Sequence, residues 1–359
     1  FVTTQMRIGR LPARVLDERI PLSHGMIGQE TNGAGGMFKA FRTIPVILDI
    51  VKDMQELCPN AWMINFTNPA GMVTEAVLRY TDFKKVIGLC NVPVNMVAGI
   101  ANILGVEEHR VTMQLQGVNH HIFATDVFLD GMSVMDEVVE RYANVKPEDV
   151  LAMKNFISLP YSPAFIRGLH AIPCPYHNYY FFTKEQLEEE QEQFAKGNVR
   201  GEVVSRVEEE LFELYKDEQL DVKPKQLEMR GGAKYSDAAC NLIASIYTDK
   251  RDIQYVDVQN NGCISDLPDD SAVEVACMIT ADGPKPLATG EMKPTISGTI
   301  HMIKAFERMV VKAAVTGNRN LAVTALNMNP LCPSDHLANI VVDELIEAHK
   351  EYLPQFRGK

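Results

Sequence analysis

Cys90 ends a short apolar run directly before a helical pattern, where the dipole of a helix N-terminus favours a thiolate. A thiolate there is either a nucleophile or a ligand for a divalent metal. His120 follows in a turn and offers an imidazole to the same ion. Tyr235 is the second candidate, in Arg230-Gly231-Gly232-Ala233-Lys234-Tyr235-Ser236-Asp237. Two glycines let backbone approach a ligand closely, and a phenol beside a cation or metal can act as a base. The third is the glycine-rich run Gly28-Gln29-Glu30-Thr31-Asn32-Gly33-Ala34-Gly35-Gly36. It fits neither a Walker loop nor a dinucleotide fingerprint, so it reads as a turn. Each residue also has a plainer reading, Cys90 as buried filler and Tyr235 as a packing phenol. No nucleophile elbow, zinc-protease helix or EF-hand loop occurs. His121 and His301 lack a partner at diagnostic spacing and read as structural.

The elements that position these residues read as α/β units. Thr43 to Leu57 has helical periodicity and Ala61 to Phe66 is a short apolar strand. Asn68 is expected to cap the next helix, with Pro69 as its first residue. Lys85 to Cys90 is a strand, and Pro93 to Leu104 a helix stopped at Gly105. Two strand–turn–helix units in succession imply parallel strands with right-handed crossovers. Ligands in such sheets sit beyond the carboxyl ends, where Asn68, Cys90 and Asn91 fall. Further on, Val111 to Gln116 and Ile122 to Leu129 flank a tight turn and suggest an antiparallel pair. Residues 147–185 look irregular, and 184–218 read as acidic helix with a solvated face. Ser236 is expected to cap a helix to about Tyr247. Ile253 to Gln259 and Val273 to Ile279 form a hairpin-like unit around Asn260-Asn261-Gly262. Helices follow from Ser297 to Val315 and Asn318 to Asn327.

The 359 residues suit two domains, divided at 1–110 and 111–359. The composition, 46% hydrophobic and 23% charged, is that of a globular enzyme. No run of apolar residues is long enough for a membrane helix. A net charge of −12 argues against a nucleic-acid partner. It does not exclude an anionic substrate, because local cations can outweigh the global sign. The cysteines are odd in number, seven, with no CxxC pair, the pattern of a reducing cytoplasm.

Taken in order, the motifs resemble family 4 glycoside hydrolases, on the side of the bacterial 6-phospho-β-glucosidases. They are Gly28-Gln29-Glu30-Thr31-Asn32-Gly33 with Gly35-Gly36, Asn65-Phe66-Thr67-Asn68-Pro69-Ala70, Gly88-Leu89-Cys90-Asn91, Gly117-Val118-Asn119-His120 and the Arg230–Ser236 segment. Asn260-Asn261-Gly262 and Asn329-Pro330-Leu331 extend the resemblance nearly end to end. It implies a Rossmann-like parallel sheet plus a mixed α+β domain, similar to lactate and malate dehydrogenases. Family members carry a glycine fingerprint in a longer front segment. Its absence here leads to the expectation of an N-terminally incomplete nucleotide domain, with the cofactor-binding residues unassigned.

The mechanism implied is NAD-dependent, outside the two-carboxylate schemes of other glycosidases. Hydride leaves sugar C3 for NAD+, which acidifies the C2 proton; a divalent metal, usually Mn2+, polarises the oxygens. The aglycone then leaves by elimination, water adds, and the hydride returns. By resemblance Cys90 and His120 hold the metal, Tyr235 takes the C2 proton, and Glu30 raises its basicity. Arg14 and Asn68 hold the sugar phosphate, with Arg7 as a helper. Where α-specific members carry an acidic residue, this chain has Asn91, which favours the β-specific branch and leaves a water as proton donor. Gly9-Arg10 departs from a Gly-Gly pair at the phosphate end. The implied substrate is a 6-phospho-β-glucoside such as cellobiose 6′-phosphate, and the implied assembly a homodimer or homotetramer. A 2-hydroxyacid dehydrogenase and a non-catalytic sugar-phosphate-binding fragment remain as alternatives.

Overall fold

The computed structural model describes residues 1–145, 156–230 and 235–357. The chain opens with β1 (Val2–Thr4) and α1 (Arg10–Ser23), then runs through α2 (Gly33–Leu57), β2 (Met63–Asn65) and α3 (Ala70–Tyr80) to β3 (Val86–Gly88) and α4 (Val92–Leu104). The three strands pair in parallel, Val2 beside Met63 and Met63 beside Val86. β2 and β3 are wholly buried, which is why they read as unbroken apolar runs. Gly105 stops α4 at φ 71°, as expected.

Two expectations shift here. α2 starts at Gly33, well before Thr43, and the glycines form its first turn. They allow close approach: a Cβ on Gly35 would stand 2.2 Å from the Gln29 carbonyl oxygen. Glycine's weak helix propensity hides this turn from periodicity. The next helix begins at Ala70, with Pro69 at its N-cap. Asn68 stands one residue outside and its Oδ1 accepts the Ala70 N–H at 3.4 Å.

A second sheet is built on β4 (Val111–Val118) and β5 (His121–Leu129), an antiparallel hairpin whose turn is Asn119-His120. β6 (Met132–Ser133), α5 (Met135–Ala143), α6 (Pro163–Leu169) and β7 (Ile172–Pro173) follow, with β6 and β7 both pairing β5. Next come α7 (Asn178–Phe181), α8 (Thr183–Ala195), α9 (Arg200–Leu214), α10 (Gln226–Arg230) and α11 (Tyr235–Thr248). The segment expected to be irregular thus holds α6 and α7, helices too short to leave a periodic signal; residues 147–155 of it lie outside the described residues. α11 begins at Tyr235, one residue before its expected cap. The acidic helices have solvated faces, but α9 also buries Val204, Val207 and Leu211. Glu202 reaches Arg19 of α1 at 2.8 Å, and the Gly201 N–H donates to Glu18 at 2.6 Å.

β8 (Ile253–Gln259) and β9 (Ala272–Thr280) pair antiparallel, and β10 (Gly283–Pro286) adds to β9. β8 meets β3 at Gly88 and Asp257, so the first sheet runs β1-β2-β3-β8-β9-β10. The β8–β9 connection is longer than the tight turn expected. Residues 260–271 form a loop tied by buried Asn260, which donates to the Ile264 and Leu267 carbonyls at 2.9 and 2.8 Å. Trp62 spans this sheet: its carbonyl accepts the Val2 N–H at 2.9 Å, and its ring covers Gly283 so closely that a Cβ there would be 2.1 Å away.

α12 (Pro294–Thr316) and α13 (Arg319–Met328) match expectation, whereas α14 (Asp335–Ala348) and α1 were not anticipated. The main core packs Phe38, Phe41, Ile44 and Ile47 of α2 with Val310 of α12 and Leu345 of α14. Within it a buried ionic knot joins three helices. Asp17 of α1 accepts from Arg42 of α2 at 2.9 and 2.5 Å and contacts His349, just past α14, at 2.8 Å. Among the described residues no helix is long and apolar enough to cross a membrane.

Candidate active site

Arg7, Asn68 and Cys90 stand just beyond the carboxyl ends of β1, β2 and β3. Cys90 Sγ lies 3.5 Å from His120 Nε2, and both residues are buried. The hairpin turn delivers His120 with a positive φ of 64°. Its ring stacks flat on Tyr176, with centroids 3.9 Å apart and planes 7° from parallel. Burial lowers the His120 pKa to about 3, aided by Lys39 and opposed by Glu30, so the ring is neutral and free to ligate.

The thiolate expected at Cys90 is not what these surroundings favour. Burial pushes the thiol well above its usual range, and the carboxyl groups of Glu274 and Asp257 add to this. The Val92 N–H at the start of α4, 3.5 Å from Sγ, opposes them without prevailing. A divalent cation reverses that balance by taking the thiolate directly. Sulfur and nitrogen 3.5 Å apart is the spacing of adjacent ligands on an ion with bonds of about 2.1 to 2.3 Å. Among the described residues no third His, Cys, Asp or Glu joins them in a metal-holding group. Two protein donors leave positions open for substrate oxygens, as a catalytic site requires. The pair fits a divalent metal.

A second group forms around Glu30. It accepts from Arg7, from Lys39 Nζ at 2.9 Å and pairs with Arg14 Nη1 at 3.0 Å. Arg14 Nε also donates to Glu18 at 2.7 Å. Burial pushes Glu30 toward neutrality, but Arg14, Lys39 and Arg7 outweigh it and hold the carboxyl well below its usual range. Burial lowers Lys39 to about 8 despite Glu30. Lys39 was not singled out from the sequence; it lies one helical turn beyond the glycines that start α2, with no motif to mark it.

Tyr235 heads α11, half-buried, its ring edge-on to Phe66 at 5.3 Å. Burial raises its pKa, and the charges of Cys90, Tyr176, Glu30 and Glu274 add to the rise. Gly231 to Lys234 of its motif lie outside the described residues. Asn91 is buried at the N-cap of α4, its Oδ1 4.0 Å from Cys90 Sγ. Asn68 is half-buried beside β2. Arg7, Arg14 and Glu30 are therefore in direct contact, Cys90, His120 and Asn91 form a second cluster, and Tyr235 feels the charge of both. Tyr176 is a further phenol that sequence reasoning passed over, because its short 3-10 turn carries no motif. A cavity of about 280 Å3 adjoins the Glu30 group, walled by Arg14, Glu30, Phe156, Tyr179, Glu190 and Arg200.

Residues 1–106 match the model for family 4 glycosyl hydrolases, and residues 115–332 that for the family's C-terminal domain. The chain belongs to family 4 of the glycosyl hydrolases. It is 57% identical over 359 residues to a probable 6-phospho-beta-glucosidase of Bacillus subtilis, covering all of this chain and 81% of that protein. It is 50% identical to the 6-phospho-beta-glucosidase of Escherichia coli over 99% of this chain and 79% of that one. The 6-phospho-beta glucosidase from Thermotoga maritima, solved with NAD and glucose-6-phosphate, superimposes with a TM-score of 0.88 at 34% identity, over 98% of this chain and 81% of that one. A second structure of that enzyme, with manganese, NAD+ and glucose-6-phosphate, gives a TM-score of 0.85 at 32% identity over the same shares, 98% and 81%. In this family 4 glycosyl hydrolase the α/β fold with its parallel strands is as expected, and the paired Cys90 and His120 stand where those strands end.

Proposed function

We propose that this family 4 glycosyl hydrolase cleaves 6-phospho-β-glucosides, such as cellobiose 6′-phosphate, with NAD+ and a divalent metal, Mn2+ above others. The carrying observation is the Cys90–His120 donor pair set beside a carboxylate held by three cations, Arg14 and Lys39 buried and Arg7 half-buried. The bound cofactors supply a hydride acceptor at sugar C3 and a Lewis acid for the sugar oxygens. Cys90 and His120 hold the metal. Arg14 and Asn68 hold the phosphate, Arg7 assisting, as charge-assisted donors suited to a phosphate monoester. Tyr235 accepts the C2 proton, and the negative charge of Glu30 makes its phenol a stronger base. Asn91 cannot give up a proton as a carboxylic acid does, so a water protonates the aglycone oxygen.

Tyr176 supports a second assignment of the base. It is buried, and its ring stacks on that of the proposed metal ligand His120 with centroids 3.9 Å apart. Hydrolysis of p-nitrophenyl 6-phospho-β-glucoside by the full-length protein with Mn2+, NAD+ and reductant tests the activity. Release of the aglycone without net NADH supports the glycosidase; net NADH when a 2-hydroxy acid is offered in place of the glucoside supports the 2-hydroxyacid dehydrogenase alternative, and no turnover of either the binding fragment. Cleavage of the α-anomer instead would overturn the β assignment.

The division at 1–110 and 111–359 is kept as part of this proposal, and the separate family models for 1–106 and 115–332 support it. We place the protein in the cytoplasm as a homodimer or homotetramer. The seven cysteines, all free, support a reducing compartment.

A further inference from the structure

Glu30 is engaged by Arg7, Arg14 and Lys39 together. With Glu18 also on Arg14, three cations face two carboxylates, which leaves one positive charge in excess, in surroundings where charges interact far more strongly than in water. Arg14 is divided as well, since its Nε is fixed to Glu18 while Nη1 turns to Glu30. Glu30 in turn acts on Tyr235, and Tyr176 acts on Arg14, so both phenols lie within the field of this group. Arg7 and Arg14 are also the cations assigned above to the sugar's phosphate.

We propose that Glu30 and the substrate's 6-phosphate compete for Arg7 and Arg14, so that the phosphate draws both cations from Glu30 and leaves its charge acting on the catalytic phenol. The inference rests on the phosphate-binding reading of Arg7 and Arg14. A phosphate monoester carries about −1.5 to −2 charge at pH 7, enough to neutralise two guanidinium groups. Lys39, buried on α2, stays with Glu30 and keeps it oriented. Glu18 keeps its hold on Arg14 Nε, so that side chain exchanges one partner while the other anchors it. Arg7 and Arg14 are then positioning residues for the proton transfer as well as phosphate ligands. Binding energy from the phosphate, remote from the reacting carbons, appears in the chemical step as well as in affinity.

Titration of inorganic phosphate by calorimetry tests the competition without turnover. Glu30→Gln is expected to bind phosphate about tenfold more tightly than the unsubstituted chain, because the competing charge is gone, and Lys39→Met more weakly. Equal or weaker binding by Glu30→Gln overturns the inference; no binding by any form also removes the phosphate reading beneath it. A second measurement needs no variant. With Mn2+ and NAD+ present, phosphite is expected to raise turnover of p-nitrophenyl β-glucoside, which lacks the phosphate, at least about tenfold. If phosphite does nothing or only inhibits while the 6-phospho substrate is cleaved, the inference fails and the activity stands. If the 6-phospho substrate is not cleaved either, the proposed function has failed.

Discussion

Tyr235 and Tyr176 compete for one role, and their surroundings give the means to separate them. Every named influence on Tyr235 raises its pKa, so with no cation bound it is a protonated phenol at neutral pH, and only its phenolate, favoured by the positive charge of a bound metal, takes the C2 proton. Replacing the true base with phenylalanine should lower kcat by about 10²- to 10⁴-fold, the range for a positioned general base. Replacing the other tyrosine should change kcat far less. Parallel kinetics of Tyr235→Phe and Tyr176→Phe decide between them, and little loss in Tyr235→Phe would end its assignment. The metal pair makes a sharper claim. His120→Ala should abolish Mn2+-dependent turnover and weaken Mn2+ binding, read by electron paramagnetic resonance. Unchanged Mn2+ affinity would remove His120 from the centre.

Elements place these side chains, and their junctions are where substitution should be felt most. Gly88 ends β3 beneath the site, and a Cβ there would lie 2.5 Å from Thr74 Oγ1 and 2.6 Å from Asp257 Cβ. Gly88→Ala is expected to destabilise the fold by about 1–3 kcal/mol, the usual cost of overpacking. Urea unfolding checks it. The parallel strands and α4 were legible in the sequence because buried β-strands are compact apolar runs and Gly105 is a clear stop. The start of α2 was not, since its first four residues include three glycines, Gly33 at a φ of 56° and Gly35 and Gly36 packed closely on Gln29 and Thr31. α1 and α14 escaped notice for a related reason. They are fastened by the Asp17–Arg42–His349 knot, and a buried ionic contact between residues far apart leaves no local pattern. Among site residues, those in motifs came with the family resemblance, whereas Lys39 and Tyr176 emerge only from three-dimensional contact. Resemblance names ligands; it does not reveal which charges surround them.

Across the whole molecule, buried acids of opposite tendency shape stability against pH. Asp17 is depressed: burial alone would raise it, but Arg42 and His349 prevail. Its contribution is present above the unfolded value of about 3.9 and fades as pH falls below that. Asp257 goes the other way, raised to about 8 by burial and by Glu307 despite Lys304, and Glu307 itself is raised to about 7 by burial. Between pH of about 4 and 8 the folded chain therefore holds protons that the unfolded chain has released, and stability falls as pH rises. Asp257→Asn should flatten that slope and gain stability at pH 8 relative to the unsubstituted chain, with little change at pH 4. Denaturation midpoints across this range measure it, and parallel curves would contradict the assignment.

Trp62 is the chain's single tryptophan, and it touches both the parallel and the antiparallel parts of the first sheet. Its intrinsic emission is consequently a site-specific optical gauge. Loss of β10 from beneath the indole should shift its spectrum before the helices melt in far-ultraviolet circular dichroism, if the sheet's two parts separate first. Coincident traces would instead mark the sheet and its helical layers as one cooperative unit.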